Sequence, residues 1–209
     1  MKKSKLFEPS RREFITRAVP ACSVLCLGGG KLLALAPSDN ESILQEEKHK
    51  FDQEYPTKLT YKQFFATRYG EYIRLARALE KEFGKEKTIE LLKKFTAEDM
   101  RQYGQTQAEK ATDQNLKTYT AQFGNPNAYK NTLTKEVVES TDKAFELKVT
   151  ECIWATTFLD AKAGDIGYAA VCWGDYAWAE GFNSKIKLVR DKTLMQGHEY
   201  CNHRYVWIG

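Results

Sequence analysis

The hydrophobic period of this chain changes once, at Gly124-Asn125-Pro126-Asn127, and that change decides the class of fold open to it. From Thr60 to Phe123 there is no proline, and Tyr61, Phe64, Phe65, Tyr69, Ile73, Ala76, Leu79 and Phe83 recur mostly three to four residues apart. That spacing gathers side chains on one side of an α-helix. Gly84 then fits a helix end that needs positive φ. A second helical run passes through Ile89, Leu92, Phe95 and Tyr103 and continues, with breaks, to Phe123. Arg74, Arg77, Glu80 and Lys81 between these positions read as a solvated face. Beyond the turn cluster the period is two: Phe145-Glu146-Leu147-Lys148-Val149-Thr150 alternates as a half-buried strand does. Val137 and Val138 predict the preceding strand, with Ser140 to Lys143 as the turn. Residues 153–163 and 166–182 read as helices, and 185–190 and 200–208 as two final strands. The expected architecture is α+β: an N-terminal helical layer packed on a C-terminal antiparallel sheet with inserted helices.

Composition enters through the placement of charge. The 209 residues carry a formal net charge of +4, but residues 1–36 alone hold seven Lys/Arg and two Asp/Glu. The rest of the chain is therefore close to neutral, which removes the electrostatic case for nucleic-acid binding. With 42% hydrophobic and 29% charged residues, the chain is neither a disordered tail nor a multi-span membrane protein. Ser10-Arg11-Arg12-Glu13-Phe14-Ile15 precedes a moderately apolar stretch reaching Ala36, which resembles the twin-arginine export signal of bacteria. Pro20 and Gly28-Gly29-Gly30 argue against reading this stretch as a buried helix. Two ends to the segment are open: an Ala34-Leu35-Ala36 cleavage site followed awkwardly by Pro37, or a lipobox-like Val19-Pro20-Ala21-Cys22 leaving an acylated cysteine. The expectation is a periplasmic protein, or one on the outer face of the inner membrane. Its partners would be the twin-arginine translocation machinery and a small-molecule substrate, with the membrane touched only through the signal or a lipid. Residues 1–36 are the signal segment, 37–58 a linker, and 59–209 a single domain.

The chemistry is concentrated near the C-terminal end. Trp154, Trp173, Trp178 and Trp207 lie there, with Cys152, Cys172, Cys201, His198 and His203. On a strand, Cys201 and His203 share a face, continued by Tyr205 and Trp207. On a helix, Cys172 and Asp175 are one turn apart. A thiol beside an imidazole and a carboxylate is the set that makes a thiolate, orients it and moves a proton. Spacing alone leaves three readings: structural thiols or a disulfide, catalysis, and a metal held by Cys and His. The His198, Cys201, His203 spacing matches no strong zinc pattern, and no cofactor is otherwise indicated.

Ordered blocks in this region resemble the L-2-amino-thiazoline-4-carboxylic acid hydrolase family. They are Phe145 to Cys152, Cys172-Trp173-Gly174-Asp175, Glu180-Gly181-Phe182-Asn183, Thr193-Leu194-Met195-Gln196-Gly197 and Cys201-Asn202-His203-Arg204-Tyr205. The chain departs from the family pattern at Ser184, Asn202 and His203, where Pro, Asp and an aromatic residue are usual. The final strand is also similar to vinyl-4-reductase-type small-molecule-binding domains. The resemblance implies a hydrolase that opens a cyclic C–N bond of a small amino-acid-like molecule. In that reading Cys172 or Cys201 is the nucleophile, His203 the proton carrier and Asp175 the orienting or basic carboxylate, while Glu180 and Asn183 contact the polar end of the ligand. Cys152 is expected to pack behind the site. The competing functions are a non-catalytic small-molecule-binding domain and a metal- or redox-binding protein.

Overall fold

The computed structural model describes residues 58–209, so the export segment and most of the linker lie outside the described residues. Helix α1 (Tyr61–Phe83) begins where its sequence says it must. Thr60 accepts a hydrogen bond from the Gln63 backbone while the Gln63 side chain accepts from the Thr60 N–H, a reciprocal capping box that satisfies two orphan donors. Gly84, at φ 84°, ends α1 and opens α2 (Lys85–Lys110). A break then leads to Asn115, whose side chain accepts from the Thr118 N–H and starts α3 (Leu116–Gly124).

After the turn cluster come β1 (Leu133–Ser140) and β2 (Ala144–Cys152), joined through Thr141, whose hydroxyl accepts from the Ala144 N–H at 2.9 Å. Helix α4 (Ile153–Asp160) follows directly, then the short α5 (Gly164–Gly167), a π-helical turn at Tyr168–Cys172 and α6 (Gly174–Phe182). The chain ends with β3 (Ile186–Val189), a 3₁₀ turn at Leu194–Gln196 and β4 (Cys201–Trp207). All four strands pair antiparallel in the order β1-β2-β4-β3. The expected α+β class is the observed one. Where the sequence suggested a single helix over 166–182, the chain instead widens into the π turn that ends at Cys172.

The helices cover one face of the sheet. Helices α3 and α6 lie against it, α2 crosses α6, and α1 packs outside on α2 and α4. The α2–α6 crossing is close because two glycines permit it. A Cβ at Gly104 would meet the Trp178 carbonyl and lie 2.8 Å from the Phe182 nitrogen, and one at Gly181 would meet the Arg101 carbonyl and lie 2.9 Å from its Cα. Two apolar cores result. One joins the sheet to α3 and α6 through Tyr119, Phe123, Phe145, Leu147, Trp178, Phe182 and Tyr205. The other joins α1, α4 and α5 through Ile73, Ala76, Ala155, Phe158 and Ile166. Cys152 and Leu194 pack against both. Of the apolar residues on α1, Phe65, Ile73 and Ala76 are buried, whereas Tyr61, Phe64, Leu75 and Phe83 remain exposed.

Candidate functional site

Between the two cores lies a cavity of about 370 Å³, within the size range of small-molecule sites. Its wall is mostly aromatic and aliphatic, with Tyr69, Tyr72, Phe95, Trp154, Trp178 and Tyr205 among the lining residues. The Trp154 indole donates to the Tyr69 hydroxyl at 3.0 Å, fixing two of these rings against each other.

Cys172, Asp175, Cys201 and His203 all line this cavity. The sheet register explains the β4 pair. Val149 stands opposite Cys201 and Leu147 opposite His203, so the alternation that buries β2 turns both residues to the helical side. Cys172 comes from the end of the π turn and Asp175 from the first turn of α6. A π turn at a binding wall is a common use of that geometry.

Cys152 also lines the cavity and is not packed behind it. The cause is a register shift between Thr134 and Lys135. Thr134 pairs with Glu151 and Lys135 with Val149, which leaves Thr150 without a partner. This β-bulge brings Cys152 back to the face that Val149 occupies.

Glu180 and Asn183 are not brought to the cavity. At 100° per residue, Glu180 lies on a different side of α6 from Asp175 and Trp178. It pairs with Lys187 at 2.6 Å and Arg101 at 3.8 Å. Asn183 donates to the Gln114 carbonyl at 2.7 Å and accepts from the Lys185 N–H at 2.9 Å. These bonds tie the end of α6 to its neighbours. His198 is exposed in the loop before β4, with its Nδ1 against Thr193. Among the described residues, no three His, Cys, Asp or Glu side chains converge to hold a metal ion, and the three cysteines are free thiols.

The charged centre of the site includes a residue that the sequence reading did not single out, Arg190. Its side chain is fully buried, and its Nη1 donates to Asp175 Oδ2 at 2.6 Å. The same nitrogen lies 2.9 Å from His203 Nε2, and Nη2 donates to the Cys172 carbonyl at 2.5 Å. The Tyr176 ring covers the guanidinium, 4.9 Å from its centre. One side chain thus joins the π turn, the start of α6 and β4. A signal for it existed: Ile186 and Leu188 are the inward residues of β3, and Arg190 is next at that spacing. An arginine in an inward position needs a carboxylate partner.

Because guanidinium only donates, the 2.9 Å contact makes His203 Nε2 an acceptor and places the imidazole proton on Nδ1. Nδ1 is buried with no partner among the described residues, so its N–H is a spare donor. Burial pushes the Asp175 carboxyl up, but the Arg190 guanidinium at 2.6 Å outweighs it and holds the group below the usual carboxylate range. Burial would depress Arg190, and the Asp175 charge reverses this. The thiols move the other way. Burial raises Cys172 well above the ordinary range, with the Asp175 charge adding to it, and pushes Cys152 up to about 11. Cys201 is also raised by burial, against a partial lowering by the Leu194 N–H, which donates to its sulfur at 3.1 Å. The resting site holds one carboxylate paired with a guanidinium, an imidazole with Nε2 against that guanidinium, and three thiols raised by burial.

Among curated proteins, none matches this chain. A family model does, over residues 61–205, from the first residue of α1 into β4 and so across the elements that shape the cavity: the chain belongs to the L-2-amino-thiazoline-4-carboxylic acid hydrolase family.

Proposed function

We propose that this cavity hydrolyses a cyclic C–N bond of a small amino-acid-like molecule, of the 2-aminothiazoline-4-carboxylate type. The observation that carries the reading is the Asp175–His203 pair, tied together by Arg190, on the wall of a mostly apolar cavity. A planar amidine-like group sits well among aromatic rings, and its ring nitrogen accepts from the spare Nδ1–H of His203 once the imidazole, whose Nδ1 is covered in the empty cavity, turns toward it. That hydrogen bond makes the amidine carbon electrophilic. The oxygen of water bonds to this carbon and its proton passes to Asp175. The ring nitrogen, held by the Nδ1–H, takes that proton from Asp175 as the C=N bond becomes single. Asp175 then takes the hydroxyl proton and hands it to the same nitrogen as the carbonyl forms and the C–N bond breaks. Both water protons end on that nitrogen, the resting charges are restored, and the product is the ring-opened carbamoyl compound. Arg190 touches no substrate in this scheme. It positions Asp175 and donates to His203 Nε2, which leaves the imidazole N–H on Nδ1.

Attack by water, and not by Cys172 or Cys201, follows from the state of the thiols, since burial keeps each of them protonated. The test is ring opening of 2-aminothiazoline-4-carboxylate by the full chain and by four folded variants. Asp175→Asn and His203→Ala are expected to lose about 10²- to 10⁴-fold in kcat, the usual size of a general acid–base contribution. Cys172→Ala and Cys201→Ala are expected to stay within tenfold. Undiminished turnover in the first two would overturn the reading. Ligand binding without turnover in the wild type would move the protein to the small-molecule-binding class.

A further inference from the structure

Lys135 is the only lysine or arginine among the residues lining the cavity. It stands in β1 opposite Val149, which in turn stands opposite Cys201 in β4. The three form one row across the inner face of the sheet, the row immediately beside that of His203. Strands lie about 4.8 Å apart and alternate residues about 7 Å apart along a strand, so the Lys135 and His203 backbones are about 12 Å apart on the diagonal. That spacing leaves room between the two side chains for a small ring with a charged substituent.

The ammonium group is incompletely matched. It donates to the carbonyls of Phe123 and Asn125, the former in the last turn of α3. An ammonium has three donors, and beyond these two carbonyls it has, among the described residues, only the Tyr129 ring, 5.8 Å from its centre. Both acceptors are neutral, and among the described residues no carboxylate lies within 4.0 Å of Lys135. Asp175 is matched by Arg190, and Asp99, at the edge of the cavity on α2, is exposed and does not pair with the lysine. Burial lowers the Lys135 pKa with no opposing anion to restore it. The bulge between Thr134 and Lys135 sets this residue on the cavity row.

We propose that Lys135 is the receptor for the substrate's anionic group, a carboxylate held at one end of the cavity while the amidine-like end lies at Asp175 and His203. The assignment rests on the hydrolase reading for the order of groups in the substrate, and it adds the residue that selects for the acid. Lys135 takes no part in bond making. It exchanges a cation matched only by neutral groups for an ion pair in a mostly apolar cavity, where such pairing is effective.

The experiment compares 2-aminothiazoline-4-carboxylate with its neutral primary amide, on the full chain and on Lys135→Met and Lys135→Arg. Binding is read from the fluorescence of Trp154 and Trp178, which line the cavity, and turnover from ring opening. The wild type is expected to prefer the carboxylate. Lys135→Met should raise the carboxylate KM and Kd about 10- to 100-fold, the size of a hydrogen bond to a charged group, with kcat and the amide constants nearly unchanged. Lys135→Arg should restore part of the preference. If Lys135 only caps α3, Lys135→Met weakens both ligands equally and the carboxylate-to-amide ratio is preserved, which overturns the proposal. Failure of the wild type to bind the carboxylate also overturns it. A carboxylate preference in binding that disappears in Lys135→Met, with no turnover of either compound, supports the receptor and refutes the hydrolase.

Discussion

Asp175 and Arg190 form a pair in which the arginine side chain has no exposure and the aspartate 27%. Removing the aspartate charge strands a cation that cannot deprotonate, and breaking such a pair from one side typically costs about 3–5 kcal/mol. Asp175→Asn is therefore expected to lower stability by about 3 kcal/mol at pH 7, measured by urea denaturation. Arg190→Met should cost less, because the partly exposed carboxylate it leaves can regain water. Folding depresses the Asp175 pKa, so the stabilisation is complete above the ordinary carboxylate range and is lost as the pH falls below it. The gap between wild type and Asp175→Asn should close below about pH 4, and a gap that persists there would contradict the pairing. At this scale the sequence was partly legible. Strict alternation in β4 was enough to place Cys201 and His203 on one face. The same logic, applied to Ile186 and Leu188, would have brought in Arg190. The positions of Cys152 and Lys135 depend on a bulge at Thr150, and nothing in a string of valines, threonines and charges marks where a ladder skips a residue.

The helices show the same division between periodicity and contact. The spacing of Phe65, Ile73 and Ala76 was sufficient to predict α1, and the Thr60/Gln63 box marks its start. It could not show that Tyr61, Phe64 and Phe83, equally apolar, would stay exposed, because that depends on which neighbours the helix meets. The π turn was hidden for a related reason: its i to i+5 bonding suits the packing of Tyr168 to Cys172 and has no residue code of its own. The α2–α6 crossing provides a direct check on packing. Gly104→Ala and Gly181→Ala each force a methyl group into opposing backbone, and overpacking of this kind costs about 3 kcal/mol, or roughly 6–12 °C in Tm. Gly124→Ala, where an added Cβ meets nothing within 4 Å, is the control and should shift stability by less than about 0.5 kcal/mol. Equal Tm values for all three would show that α2 and α6 do not approach as closely as described.

At the scale of the molecule, the net positive charge of residues 1–36 contrasts with a nearly neutral remainder, and Arg11-Arg12 sits ahead of an apolar stretch. We propose that this segment directs the protein through the twin-arginine route, which carries chains already folded. Exchanging Arg11 and Arg12 for Lys should hold the protein in the cytoplasm, followed by fractionation and immunoblotting, and unchanged export would count against the route. No described helix is long and apolar enough to cross a membrane. The two cores meet at the cavity, and few residues pack against both of them. Tyr69 and Trp154 line one side of the cavity and Leu147 and Tyr205 the other, so the substrate we propose would complete a seam that the polypeptide leaves thin. The bound molecule is then mortar as well as reactant. If the proposed hydrolysis holds, each turnover removes the mortar, and the empty protein is the form most open to breathing at that seam and to attack by proteases.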